Sequence, residues 1–182
     1  MPAGTALIDP NKIFEKIGIA AGMRVADFGC GRTGHAVFPL APLVGERGVV
    51  YALDIMKDVL ESVKSRARSG GFENVHAIWS DIETVGAAPI PEKSLDAVFF
   101  MNVMFLLKKR ADALREAARL IRKEGFLVIV DWARKLGPLG PSPEQMVDTG
   151  GIAALADKAG FSLVEISPIG GYHFCVIFKK KI

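Results

Sequence analysis

Short apolar runs alternate with amphipathic stretches along most of the chain. The apolar runs are the one from Val25 into the acid at Asp27 and Phe28, then Val49–Leu53, Val75–Trp79, Leu95–Met101 and Phe126–Val130. Each has strand length, and Leu95–Met101 is almost continuously apolar, as a strand covered on both faces requires. Between them the spacing predicts helices. Pro10–Ile17 puts Ile13, Phe14 and Ile17 on one face, with Asp9 as its cap and Pro10 at its first position. Met56–Arg68 puts Met56, Val59, Leu60, Val63 and Ala67 together, acids early and arginines late. Ala111–Ile121 and Ile152–Ala159 complete the set. The stretch Thr33–Val44 is apolar but carries Pro39 and Pro42, which predicts a late start or a kink. Lys123-Glu124-Gly125 is expected to turn the chain into the fifth strand. Ala133–Pro143, rich in proline and glycine, reads as a long loop, and Ser142, Pro143 and Gln145 as a capping box.

Strands alternating with helices indicate a parallel sheet joined by crossovers. The end of the chain differs in kind. Phe161–Ile166 and Tyr172–Phe178 are separated only by Ser167–Gly171, too few residues for a crossover, so this pair is antiparallel.

Composition changes this picture little. At 182 residues, half of them hydrophobic, the chain fits one domain, taken as residues 1–182, with a well-buried core. A net charge of +3 without a long basic run neither demands nor excludes nucleic acid. The clusters Lys108-Lys109-Arg110 and Lys179-Lys180-Lys181 read as solvated surface. Cys30 and Cys175 match no metal-ligand spacing and make no disulfide framework, so no metal and a reducing compartment are expected. With no signal-like start and no apolar run of spanning length, the expected location is the cytoplasm, without membrane insertion.

The candidate chemistry lies between Val25 and His35. Glycines at 29, 31 and 34 let the backbone turn at positive φ and let a ligand approach with no Cβ in the way. Asp54 ends the second strand, twenty positions after Gly34, where an acid accepts hydrogen bonds from ribose hydroxyls. Loop and acid together indicate a nucleoside-bearing cofactor. The glycines satisfy the dinucleotide fingerprint G-x-G-x-x-G, which favours an NAD-type oxidoreductase. Asp27 favours the other reading. A carboxylate beside the loop repels a pyrophosphate and attracts the ammonium and sulfonium of S-adenosylmethionine.

In order and spacing, the motifs "VADFGCG", "VVYALDI", "WSDIE", "LDAVFFMNVMFLL", "EAARLIRKEGFLVIVDW" and "AGFSLVEISPIGGYHFCVIFKK" resemble those of the class I S-adenosylmethionine-dependent methyltransferases over nearly the whole chain. The small methyltransferases related to ubiquinone and menaquinone biosynthesis have the most similar flavour. The resemblance implies a Rossmann-like, doubly wound α/β fold with a mostly parallel seven-stranded sheet of order 3-2-1-4-5-7-6 and an antiparallel C-terminal hairpin. It implies that Asp27, Phe28, Gly29, Cys30, Gly31 and Gly34 form the cofactor loop. Asp54, with Ile55 beside it, falls in the ribose place, and Asp81 and Ile82 at the adenine. One departure stands out: the family pattern is G-x-G-x-G, and here the third glycine comes one residue later, leaving Arg32 and Thr33 in between.

Methyl transfer is an in-line displacement that asks mainly for positioning and exclusion of water. Groups at the carboxyl ends of the strands are therefore the candidates. Asn102 is expected to touch cofactor or acceptor, Asp131 the acceptor, and His35 the border of the transfer site. His173, paired with Tyr172 as in similar small methyltransferases, is the leading catalytic candidate. His76, within strand three, reads as structural, and Arg32 as reaching either the cofactor's carboxylate or solvent. Leu136 and Leu139 suggest that the 133–143 loop is a partly apolar lid over a small organic acceptor. Protein or RNA acceptors, and a non-catalytic cofactor-binding protein of the same fold, stay open alternatives.

Overall fold

The computed structural model describes residues 8–138 and 140–182. Seven strands form one sheet: β1 (Arg24–Phe28), β2 (Val49–Asp54), β3 (Val75–Trp79), β4 (Leu95–Met101), β5 (Ile121–Trp132), β6 (Phe161–Ile169) and β7 (His173–Lys180). Their order is β3-β2-β1-β4-β5-β7-β6. β1 to β5 run parallel, while β7 is antiparallel to both β5 and β6. The expected architecture and strand order are therefore both present.

Among the described residues five α-helices cover the two faces: α1 (Pro10–Lys16), α2 (Val37–Val44), α3 (Lys57–Gly70), α4 (Arg110–Leu120) and α5 (Thr149–Lys158). Strand alternation divides the core between them. Ala97, Phe99 and Met101 of β4 face Phe14, Leu40 and Val63 of α1, α2 and α3. Val98 and Phe100 face Leu114 of α4 and Ile152 of α5.

Several boundaries differ from the sequence reading for local reasons. α2 starts late, as expected: Gly31–Gly34 forms a turn first (Gly34 N–H to the Gly31 carbonyl, 3.1 Å). Pro39 then falls in the first helical turn, where its missing N–H has no partner to lose. Met56, placed by periodicity on the buried face of its helix, caps α3 in extended conformation and is 54% exposed. Lys123–Gly125 is not a turn before β5 but a bulge within it. Leu95 pairs with Ile121 and Ala97 with Phe126, and Glu124 takes up the extra length at φ 63°. α5 begins at Thr149, earlier than read, because Asp148 caps it by accepting the Gly151 N–H. The capping-box residues close a short 3-10 turn, Pro143–Gln145, in which Ser142 N–H donates to Gln145 Oε1 at 3.0 Å.

Glu116 was not singled out by its sequence, yet it is fully buried on α4. It pairs with Arg119 at 2.7 Å and accepts the N–H groups of Gly86 (2.7 Å) and Ala88 (3.0 Å), binding the long β3–β4 connection to the helix. Removing the carboxylate leaves the Gly86 and Ala88 N–H groups without their acceptor and Arg119 with only the Ala88 carbonyl at 3.0 Å and Glu92 at 3.7 Å. Glu116→Ala is expected to lower unfolding free energy by about 3 kcal/mol in a denaturant titration, with loss of amide-exchange protection at Gly86 and Ala88.

Candidate active site

A cleft of about 510 Å³ opens at the carboxyl ends of β1 to β4. This is where an open α/β sheet leaves a crevice between outgoing loops. Its floor is the glycine loop. Gly29 and Cys30 both donate to the Leu53 carbonyl, at 2.8 and 3.0 Å, which locks the loop onto the end of β2. Gly29 has φ 74°, and a Cβ there would stand 2.5 Å from Val103 Cγ2. No side chain fits, so the backbone itself forms the surface.

Asp54 stands at the rim of this floor. Its carboxylate accepts the N–H of Gly31 (3.1 Å) and of Met56 (3.0 Å), fixing its angle while it still lines the cleft. Asp27 lies beneath the loop, 1% exposed, with Oδ1 unpartnered. Burial, and secondarily the charge of Asp54, pushes its carboxyl up to about 8. The same burial, with both acids nearby, raises the Cys30 thiol far above its ordinary range, so it is not a nucleophile.

Most of the expected residues converge. Gly29, Cys30, Gly31, Asp54, Ile55, Asp81, Ile82 and Asn102 all line the cleft, as does His35. The Asp81 carboxylate is oriented by the Glu83 N–H (3.0 Å) and the Thr84 hydroxyl (2.9 Å). Asn102 adopts φ 56° and leaves Oδ1 buried without a partner.

Besides Asp27, which lies beneath the loop, four expected residues do not reach the cleft lining. The Phe28 side chain points into the opposite core layer, edge-on to Phe100 at 5.2 Å, because strand alternation turns it away from Asp27. Gly34 belongs to the turn into α2, where a Cβ would meet the Phe38 ring at 2.7 Å. Asp131 is fully buried among backbone donors: Trp132 N–H at 2.8 Å and Phe105 N–H at 3.2 Å. It anchors the 3-10 turn Met104–Leu106, and burial lifts its carboxyl to about 6. His173 is 1% exposed and packs on Trp132 with ring centroids 4.3 Å apart.

The extra loop residue is accommodated outward. Arg32 pairs with Asp58 and donates to Ser62 Oγ at 3.1 Å, and Arg66 donates to the Thr33 carbonyl at 2.7 Å. Arg32 is thus spent on α3 and not on the cleft. His76 is exposed on β3, its ring 5.9 Å from that of Tyr51. The 133–143 loop is tied to the β6–β7 turn: Ala133 donates to the Tyr172 carbonyl at 2.8 Å and Arg134 Nε to that of Gly171 at 2.7 Å. Gly140 packs on Trp132, and none of the loop's described residues lines the cleft; Leu139 lies outside the described residues. Sequence reasoning missed Ser80, Met56, Leu106 and Leu107 as lining residues. The signal for the two leucines was an apolar run continuing past the end of a strand.

An unpartnered acid under bare backbone, a second acid at the next strand and an apolar rim fit S-adenosylmethionine. They disfavour a pyrophosphate, which would sit close to the Asp54 carboxylate and bring no cation for Asp27 to pair with. With the sheet order and the antiparallel hairpin, this is the fold and site arrangement of the class I S-adenosylmethionine-dependent methyltransferases. Residues 19–153 match the model of a methyltransferase-domain family, and the chain belongs to that family.

Aklanonic acid methyltransferase DauC of Streptomyces sp. (strain C5) is 33% identical over 68% of this chain and 52% of its own length. The ubiquinone/menaquinone biosynthesis C-methyltransferase UbiE of Hahella chejuensis is 30% identical over 69% and 49%. The chain thus spans about half the length of these curated relatives. A solved S-adenosylmethionine-dependent methyltransferase from Aquifex aeolicus superposes with a TM-score of 0.88 at 26% identity, covering 98% of this chain and 93% of that one.

His173 makes stability depend on pH. Burial, and then the proximity of His35, lowers its pKa to about 4 from 6.5. The unfolded chain therefore binds a proton that the folded chain refuses, and stability is lost as pH falls from 6.5 towards 4. Between pH 7 and 5 this group's contribution drops by about 2 kcal/mol. Urea midpoints should show His173→Phe losing less over that interval than the unaltered chain.

Proposed function

We propose that this chain transfers a methyl group from S-adenosylmethionine to a small organic acceptor. The observation that carries this reading is the buried, unpartnered Asp27 beneath the glycine loop. In this reading Asp27 faces the cofactor's α-ammonium, and the N–H groups of the loop face its carboxylate. Asp54 takes the ribose hydroxyls, Ile55 and Ile82 sandwich the adenine, and Asp81 accepts from the adenine amino group. Asn102, with its free carbonyl oxygen, sits on the methyl side. When bound, the cofactor supplies an electrophilic methyl carbon. The chain's residues hold it, orient the acceptor and keep water away.

A small acceptor is supported by the name of the Streptomyces relative, that of a methyltransferase for aklanonic acid. Asp131, occupied by backbone donors, is assigned to holding the segment after β4 and not to proton transfer. Work in the cytoplasm is consistent with two free, buried cysteines. Among the described residues no helix is long and apolar enough to cross a membrane.

Calorimetry with S-adenosylhomocysteine and with NAD tests the reading. The first is expected to bind and the second not; binding of NAD alone would refute it. Asp54→Ala should weaken S-adenosylhomocysteine binding by about 1–3 kcal/mol, the scale for losing hydrogen bonds to a charged group. An unchanged affinity would remove Asp54 from the ribose role.

A further inference from the structure

Among the described residues of the cleft lining, two side-chain oxygens are buried without a partner, Asn102 Oδ1 and Ser80 Oγ. Asn102 has a place in the reading above. Ser80 has none.

Ser80 directly follows β3 and is 1% exposed. Its backbone is engaged: the N–H donates to the Asp54 carbonyl at 3.2 Å, extending the β2–β3 pairing one residue past the strand. That bond fixes Ser80 between Asp54, assigned to the ribose, and its sequence neighbour Asp81, assigned to the adenine amino group. Its hydroxyl is not engaged. Less buried serines of this chain bond their own backbone: Ser62 Oγ donates to the Asp58 carbonyl at 2.9 Å and Ser94 Oγ to the Pro91 carbonyl at 2.6 Å. A buried hydroxyl without such a partner lowers stability. Here the orphan stands in the wall of a cleft, where a ligand can answer it.

The surroundings narrow what that ligand group is. Among the described lining residues that follow β2 and β3, Asp54, Asp81 and Glu83 bear carboxylates and the others, Ser80 apart, are apolar. A carboxylate only accepts, so on this side of the cleft Ser80 is the one side chain that donates. Glu83 is in addition occupied by the Lys109 N–H. An adenine needs both kinds of partner: its amino group donates, while its ring nitrogens N1, N3 and N7 accept. A carboxylate suits the amino group and repels the lone pair of every ring nitrogen. We propose that the Ser80 hydroxyl donates to a ring nitrogen of the cofactor's adenine, which makes Ser80 a specificity-determining residue that reads the base together with Asp81. The inference rests on the S-adenosylmethionine reading and adds to it a contact in which the bound base supplies the partner that the fold withholds.

Calorimetry on the full chain with S-adenosylhomocysteine and its 1-deaza, 3-deaza and 7-deaza analogues tests this, since each analogue replaces one ring nitrogen by C–H. Ser80→Ala should weaken S-adenosylhomocysteine binding about tenfold, the scale of one hydrogen bond. One analogue should bind the unaltered chain about tenfold more weakly than S-adenosylhomocysteine does, and that deficit should vanish in Ser80→Ala. The urea midpoint of Ser80→Ala should equal or exceed that of the unaltered chain, because the variant removes a buried hydroxyl that bonds nothing in the fold. A lower midpoint would mean that the hydroxyl serves the fold and would overturn the proposal. So would an unchanged affinity for S-adenosylhomocysteine, or deficits that are the same in both proteins for all three analogues. Failure of S-adenosylhomocysteine to bind the unaltered chain would instead sink the cofactor reading beneath it.

Discussion

The site depends on a carboxylate held where no protein group answers it. Asp27 is buried at the end of β1, beneath a loop whose backbone turns at Gly29 and Gly31 with positive φ. An isolated buried charge is costly, and the protein meets that cost by keeping the carboxyl protonated up to about pH 8. A cationic ligand reverses the balance. The rest of the cleft is arranged around that exchange: Asp54 is pinned by Gly31 and Met56, and the loop is pinned to β2 through the Leu53 carbonyl.

The sheet makes this possible. β1 lies between β2 and β4, so its carboxyl end is flanked by Asp54 on one side and Asn102 on the other. The antiparallel β7 brings His173 alongside Trp132 at the end of β5, behind the cleft. The segments that follow β1, β2, β3 and β4, remote in sequence, contribute to one cavity. The extra length of the glycine loop is carried by Arg32, drawn outward onto α3 by Asp58 and Ser62, while Thr33, held by Arg66 through its carbonyl, still lines the cleft.

Much of this was legible in the chain. Alternating apolar runs and a connection too short for a crossover led to the parallel sheet with its closing hairpin, and the placement of Asp27 relative to Gly29 separated an ammonium-bearing cofactor from a pyrophosphate. What was not legible depended on orientation. Helical spacing put Met56 in the core because it cannot tell a cap from a first turn. A motif names Phe28 and Gly34, but only the pleat and the Phe38 ring decide that neither faces the ligand. Glu116 on α4 and Asp131 on β5 also bind backbone groups of distant loops, and the local partners Arg119 and Trp132 do not announce those contacts.

The central claim is tested most directly by counting the protons exchanged when S-adenosylhomocysteine binds, from calorimetry at pH 7 in two buffers of different ionisation enthalpy. Asp27 is mostly protonated in the free protein at that pH and charged opposite the ligand's ammonium. Binding should therefore release close to one proton, and affinity should rise about tenfold per pH unit up to pH 8. Asp27→Asn should release none. Binding to the unaltered chain without proton release, at an affinity flat from pH 6 to 8, would contradict the account.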